Sequence, residues 1–129
     1  MSTTISGTNG VTFPDSTSMQ TGQQACKAWV NFNGTGTVAI RESYNVNSIT
    51  DVGTGDYTVN FTTAMVDANY SISSLVQDTG GNFSSVTTIK NNATASPTTT
   101  AVRINTFGWT AGNAGNNFDP PIVTVQIFR

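Results

Sequence analysis

The feature that most constrains this chain is alternation. In Cys26-Lys-Ala-Trp-Val-Asn-Phe32, one parity holds Cys26, Ala28, Val30 and Phe32, and the other holds Lys27, Trp29 and Asn31. Tyr57, Val59 and Phe61 repeat the pattern around Thr58 and Asn60. A period of two marks a strand with one buried face, because successive side chains of an extended chain point to opposite sides. The runs are short and end in clusters such as Asn33-Gly-Thr-Gly36 and Gly53-Thr-Gly55, which favour turns. The residues that would build helices are scarce. Valine and isoleucine total 20, against one leucine, Leu75, and one glutamate, Glu42. β-Branched residues suit pleated, half-buried surfaces, whereas leucine, alanine, glutamate and lysine favour helices. The expected class is all-β.

With 129 residues the chain has material for one ordinary domain. Thr, Asn, Ser and Gly fill 61 positions, which raises the question of a low-complexity polymer. Disordered chains combine low hydrophobicity with high net charge, and here the formal net charge is only −2. The alternation therefore argues for a folded domain.

Composition also excludes chemistry. With no histidine, no Ser-His-Asp or Cys-His arrangement and no imidazole metal site can form. A single cysteine, Cys26, excludes an intrachain disulfide, a four-thiolate zinc site and a Cys-x-x-Cys pair. Five Lys and Arg spread over the chain make no basic patch for nucleic acid. No apolar run approaches the roughly 18 residues of a membrane span, and the expectation is a chain without a signal peptide. Neither Gly-x-Ser-x-Gly nor Ser-x-x-Lys occurs. The expectation is a non-enzyme without cofactor or metal.

Residues 1–24 read as a leader and 25–129 as a domain. The leader's sizeable apolar residues beyond Met1 and Met19 are Ile5, Val11 and Phe13, too few for a core of its own. Asn9-Gly10 and Pro14-Asp15-Ser16 are turn signals. It is either a mobile strip or one that packs against copies of itself. From Ala25 onward, strands are expected over 25–32, 37–44, 48–52, 56–62, 70–76, 84–90, 98–107 and 122–128. In the seventh of these, Val102, Ile104 and Thr106 share a side. Residues 109–119 read as an irregular loop. Such spacing implies an antiparallel β-sandwich of jelly-roll or Greek-key type.

Few residues suggest a site. Asp51 and Asp56 flank the Gly53-Thr-Gly55 turn and could form an acid pair or hold a cation, but aspartate also favours turns by bonding nearby N–H groups. Glu42 beside Arg41 reads as solvated surface, and Asp119 before Pro120 as a loop terminator. Five Asn-x-Ser/Thr sequons occur, about the number chance gives. Trp29 lies on the parity opposite Val30 and Phe32. It is covered by the leader, faces another subunit, or belongs to a second small core. Trp109 is followed by Asn113, Asn116, Asn117 and Phe118 among small residues. A flat ring stacks while amides hydrogen-bond, so this is a contact loop for sugar or protein, or else Trp109 plugs one end of the sandwich.

Three strings carry a resemblance. Gly7-Thr-Asn-Gly-Val-Thr-Phe-Pro-Asp15 with Gln20-Thr21 resembles the short leader of bacteriophage tail-fibre proteins. Cys26 to Arg41 and Asn47 to Phe61 resemble the opening of the C-terminal knob that follows such a leader, and Ile122 to Phe128 fits its closing strand. Together they cover about half the chain. The family's leader reads Pro-Asp-Gly where Ser16 stands here, which strains Ser16 if that turn needs a positive φ. The resemblance implies a virion component: a homotrimeric tail-fibre or head-fibre tip, made in the bacterial cytoplasm, with other virion proteins and a host surface glycan or protein as partners. Ile5, Val11, Phe13 and Trp29 would then be oligomer contacts. Trp109, Asn113, Asn116, Asn117 and Phe118 would meet the receptor. The alternative is a purely structural part, a capsid decoration or adaptor. A carboxylate-dependent glycan hydrolase fits least, given a single glutamate.

Overall fold

The computed structural model of the protein describes residues 4–6, 10–16, 18–19, 25–77, 84–90, 97–109 and 115–129. Every regular element among them is a β-strand.

Three short strands, β1 (Thr4–Ser6), β2 (Gly10–Thr12) and β3 (Ser18–Met19), form an antiparallel sheet within the leader. Ile5 pairs with Val11, and Val11 with Met19. Ile5 remains 82% exposed and Phe13 40%, so this sheet buries little. In the turn after β2, the Ser16 N–H donates to the Phe13 carbonyl at 3.0 Å. Ser16 takes a φ of 67°, the left-handed conformation that the glycine of the resembled leader would adopt without strain.

Two larger sheets face each other. The first runs β5 (Ala39–Tyr44), β4 (Cys26–Asn33), β12 (Val123–Phe128), β8 (Ser71–Val76). The second runs β6 (Val46–Gly53), β7 (Asp56–Phe61), β10 (Ala101–Trp109), β9 (Ser84–Ile89), all antiparallel. A two-residue strand, β11 (Asn116–Asn117), pairs with Phe107 and Gly108 of β10. Because β9 holds the other edge of β10 there, β11 continues the edge that β7 occupies further back. The strands β8, β9 and β10 follow one another around the sandwich, and β12 returns to lie beside β8. That is the Greek-key order.

The alternation decides what faces inward. Ala28, Val30 and Phe32 of β4 meet Val123, Val125 and Ile127 of β12, all at most 1% exposed. Tyr57, Val59, Val102 and Ile104 answer them from the other sheet. Burying each large side chain contributes roughly 1.5–3 kcal/mol. Phe32 and Tyr57 touch edge to face across the layer, with centroids 5.2 Å apart. Two departures from the expected strands are informative. The run expected over 48–52 begins at Val46, whose side chain is buried. The loop expected from 109 is shorter, since Trp109 ends β10 and Asn116–Asn117 forms β11.

Candidate functional site

One end of the sandwich is built around Trp109. The register pairs Asn105 with Asp56, so β10 runs past the start of β7 and carries Phe107, Gly108 and Trp109 beyond it. Phe107 and Trp109 stand edge to face at 4.7 Å. Gly115 lies so close to both rings that a Cβ there would collide with them. Trp109 is 42% exposed, and Asn116 and Asn117 beside it are exposed. Trp109 lies on the face of β10 opposite Val102, Ile104 and Thr106, with its ring against Phe107 and Gly115. Phe118 is half-buried, and Asn113 lies outside the described residues.

The support beneath this end is a hydrogen-bonded hub that the sequence did not reveal. The Asp119 carboxylate accepts the Tyr57 hydroxyl at 2.6 Å and the Gly55 N–H at 2.7 Å. Asp119 is thus a fastener between loops, not merely a terminator. Burial first, and the Asp119 carboxylate second, push the Tyr57 phenol pKa well up, so it stays a donor. Thr106 is fully buried because its hydroxyl donates to the Phe118 carbonyl at 2.5 Å, while its N–H donates to the Gly55 carbonyl. Asn105 donates to the side-chain oxygen of Asn117 at 2.9 Å and to the Gly55 carbonyl at 3.0 Å. A signal did exist: a tyrosine on the core parity must bring its hydroxyl to a partner.

Asp51 and Asp56 do not form an acid pair. Asp51 accepts the Gly53 N–H at 3.1 Å, as a turn aspartate does. Asp56 is 7% exposed and held on both oxygens: Arg103 donates at 2.6 and 2.8 Å, and Lys90 at 2.5 Å. The Arg103 hydrogen bond, reinforced by Lys90 against the opposing effect of burial, holds the Asp56 pKa below the ordinary carboxylate value. That pairing fixes β9 and β10 to β7 and engages both Asp56 oxygens in structural ion pairs. Among the described residues no cluster of three or more acidic, thiol or imidazole groups could hold a metal ion. No helix among them is long and apolar enough to cross a membrane.

The opposite end carries a groove of about 820 Å³. It is lined by Lys27 of β4, the Tyr44–Asn45 turn, residues 62–66 after β7, and Arg129. Asn45 has a φ of 55° and binds this end together. Its amide donates to the Lys27 and Thr63 carbonyls at 3.0 and 3.1 Å and accepts the Thr63 N–H at 2.7 Å. Arg129 grips Asp67 with two bonds of 2.8 and 2.6 Å, which hold the Asp67 carboxyl below its usual range. That the two ends are opposite follows from the register. Phe128 pairs with Cys26, whereas Gly34 just past β4 donates to Pro120 and accepts from Tyr57. The leader joins at Ala25, hence at the groove end.

Of the expected oligomer contacts, Trp29 is half-buried on the outer face of its sheet, between its strand partners Tyr44 and Gln126. Among the described residues it is not part of the buried core cluster. Val11 is half-buried and Ile5 and Phe13 are exposed. The chain matches no protein-family profile, no curated protein and no solved structure.

Proposed function

We propose that this chain is a non-enzymatic virion component, the tip of a phage tail or head fibre, acting as a homotrimer that contacts the host surface. The observation that carries this reading is Trp109. Trp109 is 42% exposed, backed by Phe107, and flanked by exposed Asn116 and Asn117 at the end away from Ala25. An exposed aromatic with amides beside it suits a glycan or protein surface, and its distance from the leader suits a tip. The strings shared with tail-fibre leaders and knobs support the same reading. Other virion proteins would meet the leader end, and the virion is where the protein would reside. Three copies on one appendage would give avidity from weak single sites.

Host-cell adsorption tests it. Trp109→Ala should lower adsorption of the purified protein by about tenfold or more, as expected for a contact aromatic. Normal adsorption by that variant, or none by the wild type, would overturn host contact and favour a purely structural virion part.

A further inference from the structure

The chain has five cationic side chains, all described: Lys27, Arg41, Lys90, Arg103 and Arg129. Lys90 and Arg103 are neutralised by Asp56, and Arg129 by Asp67. Arg41 donates to the Asn31 side chain at 3.4 Å and to the Pro121 carbonyl at 2.6 Å. Lys27 alone has no side-chain partner among the described residues. It lines the groove together with Tyr44, which is 58% exposed. Thr62 and Thr63 add hydroxyls, and Met65 is a buried apolar wall. The Arg129 side chain is neutralised by Asp67, which leaves Lys27 as the unpaired cationic side chain of the groove.

A cavity of this size with an apolar wall and a few polar groups has the make-up of a small-ligand site. The charge selects an anion, and a presented ring next to hydroxyls selects a sugar over a bare ion. An extended peptide would need hydrogen-bond donors along the groove, and both N–H groups of the Asn45 amide are already donated to the Lys27 and Thr63 carbonyls. We propose that this groove binds a saccharide unit bearing a carboxylate, its face on the Tyr44 ring and its carboxylate on the Lys27 ammonium. The site lies at the end opposite Trp109 and does not depend on host contact there.

Calorimetric titration of the full chain tests this, with trigalacturonate and a sialyl-trisaccharide as acidic probes and methyl-esterified trigalacturonate as the neutral one. At least one acidic probe should bind saturably, with dissociation constants near millimolar, the weak end for a shallow single site. Esterification, Lys27→Met and Tyr44→Ala should each weaken binding by about tenfold, with circular dichroism confirming that both variants fold. Trp109→Ala should leave the affinity unchanged, which separates this site from host contact. The proposal is overturned if neither acidic probe saturates, if the ester binds as well as the acid, or if Trp109→Ala removes binding. It is also overturned if Lys27→Met shifts the oligomeric mass but not the titration, since that would give the groove to a second copy.

Discussion

Asp56 illustrates how much one side chain can hold in a chain with so little charge. Its carboxylate joins Lys90 just past β9, Arg103 of β10 and its own strand β7, at 10% side-chain exposure. Removing the charge would leave two partly exposed cations without their counter-ion, so Asp56→Asn should destabilise the fold by about 1.5–3 kcal/mol, the range for hydrogen bonds to charged groups. The pH dependence has a definite sign. The folded pKa is below the unfolded one, so in acid the unfolded state binds more protons and stability falls with pH. The contribution is complete above the unfolded carboxyl pKa, about 4, and is lost as pH drops through the lower folded value. Urea melts from pH 7 to pH 2.5 should show this acid limb in the wild type and a shallower one in Asp56→Asn. The sequence put Asp51 and Asp56 at one turn and could go no further. Their different fates depend on Lys90 and Arg103, which are remote in sequence and adjacent only once β7, β9 and β10 pair.

At the scale of elements, β4, β7, β8, β10 and β12 were legible because burial on one face imposes period two, and Tyr57, Val59 and Phe61 are inward as their parity required. What was not legible depended on edges. β6 is exposed along most of its length, so its residues carry no alternation to mark where it starts. β11 is two residues long and exists only because β10 offers an edge there. Leu75, the sole leucine, lies on β8 yet is 75% exposed, so a strong hydrophobe misdirects where parity does not. The turn between β6 and β7 reaches across to β10 and the 118–119 segment through Gly55. This glycine has a φ of 63°, and a Cβ on it would stand 2.6 Å from the Thr106 carbonyl and 2.8 Å from that of Phe118. Gly55→Ala should therefore cost at least about 2 kcal/mol, combining left-handed strain with steric overlap. The midpoint of urea unfolding checks it.

For the whole molecule, the leader's short strands leave Ile5 and Phe13 uncovered, and the outer face of the β5-β4-β12-β8 sheet presents Phe128 and Leu75. Packing with further copies would cover such surfaces. Native mass spectrometry at micromolar concentration should give the mass of three chains, and a species of 13.6 kDa alone would refute the trimer. Neither the alternation nor the composition could reveal which end of the sandwich carries the Trp109 ring, since that depends on strand register. The register also determines how the module would bear load. A pull between Ala25 and a ligand held at Trp109 would act along the strand axes. β4 lies between β5 and β12, so it would be sheared lengthwise from both neighbours. In that geometry the rungs of each ladder must stretch together instead of parting one at a time. An appendage tip anchored at one end and gripped at the other would resist drag with the strongest direction its sheets possess.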